Sequence, residues 1–142
     1  KNVISAQNIP VKADYFFDEV NLEESDLLFL PGGPGHKSYM ENEKLLNALK
    51  EHDKKGKRIA AICAAPSILG RIGLLKGKKA TCFPGFEKYL PDFEVVADGV
   101  VVDGKMITGK GPGVAVDFAL EIVARLCGQV ESSKIRMAMQ CQ

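Results

Sequence analysis

Short continuous apolar runs along this chain alternate with longer stretches in which apolar residues recur every three or four positions. The first run, Leu27-Leu28-Phe29-Leu30, ends in Pro31-Gly32-Gly33-Pro34-Gly35. It predicts a strand buried on both faces, with a glycine-rich loop where its backbone must turn. Residues 41–54 then place Leu45, Leu46 and Leu49 among charges, which is a helical stripe, and Gly56 ends it. A second buried strand, Arg58-Ile59-Ala60-Ala61-Ile62, runs directly into Cys63-Ala64-Ala65-Pro66 and a helix through Ile68, Leu69 and Ile72. Pro66 suits that place because the first turn of a helix makes no use of its N–H. Beyond it the pattern predicts short strands over 79–82, 93–97 and 100–102, and a helical turn over 86–90. Some extended character is present over 9–20. Asp103-Gly104 ahead of Met106 is a hairpin signal. Gly109-Lys110-Gly111-Pro112-Gly113 leads into an amphipathic helix over 114–127, with Phe118, Ile122 and Leu126 on its apolar face and Gly128 closing it. A last helix covers about 131–140.

Strands that alternate with helices predict an α/β fold, with a mostly parallel sheet covered on both faces. Ligands of such sheets sit at the carboxyl ends of the strands. The loops 32–35 and 63–66 both lie there, on strands expected to be neighbours, which sets the Cys63 thiol beside the glycine loop. With 142 residues and no repeat, low-complexity tract or linker, residues 1–142 read as one domain.

Composition narrows the function classes. There are 19 basic and 18 acidic residues, for a net charge of +1, so no electrostatic footprint for nucleic acid or an acidic membrane surface is present. The longest apolar runs are far too short to span a bilayer. The four cysteines form no CxxC pair, and His36 and His52 lie far from a zinc-like spacing with them, so no metal is expected. Neither glycine loop has nucleotide-binding spacing, so no cofactor is expected either. A chain this rich in apolar residues needs no disulfide staples, and reduced thiols in a cytoplasmic setting follow.

Cys63 carries the chemistry. At a strand-to-helix elbow a residue is forced into a tight, often strained conformation that exposes its side chain, and small neighbours such as Ala61, Ala64 and Ala65 are needed there. The following helix points its positive end at the sulfur, which favours thiolate and lowers the pKa. The amides of Ala64 and Gly33 could cradle a developing oxyanion. The plainer alternative is a core cysteine after an apolar strand. Cys127 reads as core, on the apolar face of its helix; Cys141 lies at a frayed end; Cys82 is either core or at a strand end in the same pocket. Lys110 reads as a solvated side chain. His52, between charges, reads as a surface residue. His36, just after the glycine loop, is the nearer partner for a nucleophile, and no carboxylate stands out.

The segments Leu30-Pro31-Gly32-Gly33, then Ala60-Ala61-Ile62-Cys63-Ala64-Ala65-Pro66, then Gly111-Pro112-Gly113 with Asp117-Phe118-Ala119-Leu120, resemble the ThiJ/PfpI superfamily, and within it the parkinsonism-associated (DJ-one) branch. The resemblance implies a flavodoxin-like three-layer sandwich, usually a homodimer. It implies Cys63 as elbow nucleophile, Gly33 and Ala64 as anion hole, and Gly32, His36 and Pro112 as pocket residues. The peptidase-like branch carries a His after the nucleophile, where this chain has Ala64, and some members place a His where this chain has Phe83.

Family members also begin with a strand, a helix and another strand, a unit of some thirty residues. None precedes Val11 here, so the chain resembles the domain without its first unit. That missing helix is where the family keeps the glutamate that hydrogen-bonds the cysteine. The activity implied is cofactor-independent conversion of small α-oxoaldehydes (methylglyoxal, glyoxal) to hydroxy acids, or deglycation, through a Cys63 hemithioacetal. An oxidative-stress sensor or chaperone acting through Cys63 oxidation is the alternative, and a cysteine peptidase or amidohydrolase a weaker one.

Overall fold

The computed structural model describes residues 2–89 and 94–141. A small antiparallel hairpin opens it, β1 (Asn2–Ile4) paired with β2 (Pro10–Lys12). The main sheet is built from β3 (Leu27–Leu30), β4 (Arg58–Ile62), β7 (Val100–Asp103) and β8 (Met106–Gly109) in the order β3-β4-β8-β7. The first three are mutually parallel, with Leu27 opposite Arg58 and Ile59 opposite Met106, and β7 returns antiparallel to β8. Gly104, with φ +59°, turns that hairpin, as Asp103-Gly104 predicts. β5 (Lys79–Ala80) and β6 (Glu94–Val95) form a separate parallel pair. Thr81 N–H, donating 3.0 Å to Thr108 Oγ1, ties this segment to the main sheet. The predicted strand from Phe93 and the predicted turn to Leu90 begin and end outside the described residues.

The strand period of two decides which helix covers which face. Leu28, Leu30, Ile59 and Ala61 turn to one side and are buried with Leu45 and Leu49 of α1 (Glu43–Lys54) and Leu69 of α2 (Pro66–Arg71). Ala60 and Ile107 turn to the other and are buried with Phe118 of α3 (Ala115–Cys127). α4 (Gln129–Ala138) packs along α3, where Ser132 Oγ donates to Leu120 O at 2.8 Å. The result is a three-layer α/β sandwich of flavodoxin-like type.

Three expectations are corrected. β3 is not buried on both faces: Phe29 is 49% exposed, because β3 has a neighbour on one side only among the described residues. The Phe118 ring, 5.7 Å away, is the aromatic group beside it. Cys127 is exposed rather than core, and Leu126 is 46% exposed, because α3 buries Phe118 and Leu120 near its start and then leaves the core. His52 is buried, 3% exposed, because it continues the inward stripe Leu45, Leu49, His52 along α1. Its Nε2 has no hydrogen-bond partner among the described residues. Burial, reinforced by the Lys57 and Lys55 charges, holds its pKa below the usual histidine value against an opposing contact with the Asp26 backbone.

Candidate active site

The elbow is made by continuing β4 one residue too far. Cys63 N–H donates to Gly109 O at 2.8 Å, extending the β4–β8 ladder, and Cys63 O accepts from Phe83 N–H at 2.8 Å. The backbone then enters the left-handed region, with Cys63 at φ +66°. Ala65 N–H closes the turn on Ile62 O at 3.2 Å, and Pro66 starts α2. A non-glycine residue held at such a φ costs about 1–2 kcal/mol. Strain of this kind persists only where surrounding contacts impose it, and it gathers at functional sites. Here the two hydrogen bonds on either side of Cys63, together with the buried Ala64 and Ala65, impose it.

The glycine loop presses on the thiol from the neighbouring strand. A Cβ on Gly32 would lie 2.6 Å from Cys63 Cβ and 3.1 Å from its Sγ, so only glycine fits. Gly33 follows at φ +84°. Among the described residues, neither Gly33 N–H nor Ala64 N–H donates a hydrogen bond, so both amides remain free next to the sulfur-bearing turn. The sulfur is half-buried and, among the same residues, accepts no hydrogen bond.

The other predicted pocket residues separate. His36 Nδ1 lies 2.7 Å from Gly33 O. A carbonyl only accepts, so Nδ1 carries the proton and the ring is tied to the loop rather than to Cys63. Its edge meets the Phe86 ring at 5.2 Å, in a cleft of about 350 Å³ that also holds Arg71 and Tyr89. Pro112, after β8, lines a different cavity with Phe83 and Lys110.

Cys82 is buried beside the elbow, with its thiol pushed up to about 12 by burial and then by the Glu87 and Cys63 charges. It is the inert counterpart of Cys63. Two supporting residues escaped the sequence reading. Gly109 accepts the Cys63 amide and leaves no room for a Cβ, which would stand 2.8 Å from Phe118 and 2.9 Å from Ile62. Ser67 Oγ donates to Ala64 O at 2.6 Å and pins the turn. A glycine at a strand end and a serine in a first helical turn are the only local signals of either. No group of three or more His, Cys, Asp or Glu among the described residues could hold a metal ion.

A mostly parallel α/β sandwich with a strained cysteine elbow, facing a glycine loop with unengaged amides, defines a class of thiol-elbow proteins. A model of the DJ-1/PfpI family matches residues 1–125, and the chain belongs to that family. It is 38% identical over 138 residues to Protein DJ-1 homolog B of Arabidopsis thaliana, covering 96% of this chain but only 32% of that relative's length. It is 36% identical over 129 residues to Deglycase PfpI of Pyrococcus furiosus, covering 89% of this chain and 78% of that protein. The crystal structure of Drosophila melanogaster DJ-1beta superposes with a TM-score of 0.93 at 30% identity, over 100% of this chain and 78% of that one.

Proposed function

We propose that the protein is a cysteine-dependent enzyme acting on small α-oxoaldehydes or on the adducts they form. The observation that carries this reading is Cys63 itself, at φ +66° with its sulfur against Gly32 and the free amides of Gly33 and Ala64 nearby. The similarity to a protein named a deglycase supports it.

The Cys63 thiolate adds to the aldehyde carbon of methylglyoxal. The C–S bond forms as the carbonyl π pair moves to oxygen, and the alkoxide is held by the Gly33 and Ala64 amides until protonated. The hemithioacetal C–H proton is removed and returned to the adjacent ketone carbon, so that C1 is oxidised and C2 reduced, leaving a lactate thioester. Water hydrolyses the thioester, which releases lactate and restores the thiol. No external electron donor is needed. The family resemblance implies a glutamate as the proton shuttle, and no described side chain hydrogen-bonds the sulfur. Only the thiolate is an effective nucleophile, so the first step depends on deprotonated Cys63.

The test is lactate formation from methylglyoxal by the whole protein and its Cys63→Ser variant. The variant is expected to lose at least about 100-fold in kcat/KM, as removal of a nucleophile demands. Undiminished turnover would sink the reading.

A further inference from the structure

The cleft that takes up His36 is distinct from the elbow, since Cys63 does not line it. It lies between the 3₁₀ turns over Pro34–Glu41, helix α2 and the segment ending in the turn Glu87–Tyr89. Its volume of about 350 Å³ falls in the range of small-molecule sites. Lys37, Arg71 and Lys88 line it, and among the described residues no carboxylate does. In a chain with a net charge of only +1, this grouping is local design rather than bulk composition.

The cations are also unspent. None of the three forms an ion pair among the described residues, whereas Lys44, Lys54, Lys55, Lys79 and Lys134 all do. The nearest carboxylate in sequence, Glu87, does not line the cleft and accepts from the N–H of the lining residue Gly85 at 2.6 Å. The Arg71 guanidinium lies 4.1 Å from the centre of the Tyr89 ring, and the Lys88 ammonium 5.0 Å from the same ring. One aromatic ring thus holds two like charges among the residues that line one cleft. A guanidinium and ammoniums lining one cleft suit phosphate oxygens. Phe86 and the apolar Ile68 and Met40 offer the remainder of the wall.

We propose that this cleft binds a small phosphate monoester carrying an aromatic or apolar group, with Arg71, Lys88 and Lys37 on the phosphate and Phe86 against the organic part. The site is separate from Cys63 chemistry and does not depend on it. It shares only its supports with the elbow, through His36 on Gly33 and Ser67 on Ala64.

The experiment is calorimetric titration of the full chain with phenyl phosphate at low ionic strength, where charge recognition is least screened. Saturable binding of one phenyl phosphate per chain is expected, with inorganic phosphate weaker by about tenfold for lack of the ring contacts. Arg71→Gln and Lys88→Gln should each weaken it by about tenfold or more, while Lys110→Gln and Cys63→Ala leave it unchanged. Lys37→Gln, which disturbs no ring contact, guards against a folding defect in the other two, and is expected to weaken binding with an unaltered melting curve. Absence of saturable binding, an equal loss in Lys110→Gln, or undiminished binding in all three cleft variants would overturn the proposal. So would benzoate binding as tightly as phenyl phosphate. Survival of binding in Cys63→Ala separates its fate from that of the oxoaldehyde reading.

Discussion

At the scale of single residues, the thiol is confined by a contact with Gly32 as well as by the backbone hydrogen bonds of Cys63. Gly32 sits so close to Cys63 that an added methyl would meet Cys63 Cβ at 2.6 Å and Ile62 O at 2.9 Å, neither of which can swing aside. Gly32→Ala is therefore expected to cost about 1–3 kcal/mol by overpacking. It should also displace the sulfur, slowing alkylation of Cys63 by iodoacetamide as followed by peptide mass spectrometry. Cys82 supplies the internal reference, because its burial and its pKa of about 12 keep it unlabelled at neutral pH in both proteins. A Gly32→Ala protein with wild-type stability and labelling would show that the loop does not hold the elbow. The elbow at Cys63 was legible in the sequence because an apolar strand runs into small residues and then Pro66, although the same pattern also allowed a core cysteine. Strand adjacency set the glycine loop beside it, but the closeness of Gly32, which leaves no room for a Cβ, joins positions 31 apart and no local pattern records it.

At the scale of elements, the helical and strand periods located β3, β4, α1, α2 and α3 correctly, because each is long enough, or apolar enough, for its pattern to rise above its neighbours. What they misjudged was the environment of particular positions. His52 falls three residues after Leu49 on the inward stripe of α1, yet its charged neighbours in sequence suggested solvent. The stripe prevailed, and the histidine is held neutral by burial and by Lys57 and Lys55. Its folded pKa is lowered, so below the unfolded value of about 6.5 the unfolded chain binds more protons than the folded one, and stability drops as the pH drops. Above that value both states are neutral and the residue contributes no slope. Thermal melts from about pH 7.5 down to about pH 5.5 should therefore show a falling midpoint that is flatter in His52→Met, where nothing titrates at this position. Equal slopes in the two proteins would mean that His52 is not the group responsible.

At the scale of the molecule, the resemblance named the three-layer fold, but the openness of its β3 side belongs to the assembled sheet. Whether a strand is central or at an edge depends on its partners, and Leu27-Leu28-Phe29-Leu30 reads the same either way. Among the described residues β3 pairs only with β4, and Phe29 stands 49% exposed beside it. A second apolar surface lies on α4 and its start, where Val130 is 72% and Met137 71% exposed. Unpaired strand edges recruit other chains by backbone hydrogen bonding, whereas an apolar helix face recruits them by burial alone. Both predict self-association of the chain, by routes that one pair of substitutions can separate. A lysine on an edge strand is a natural deterrent to pairing, so Phe29→Lys should shift sedimentation-velocity profiles toward the monomer if β3 is the seam. Met137→Lys should do so instead if the α4 face is the seam. The stronger expectation is for Phe29→Lys, because among the described residues β3 has a backbone edge without a strand partner as well as apolar area, while the α4 backbone bonds within its helix. Monomeric behaviour of the unmodified chain across the accessible concentration range would remove the premise, and loss of association in Met137→Lys alone would move the seam from the sheet to the helices.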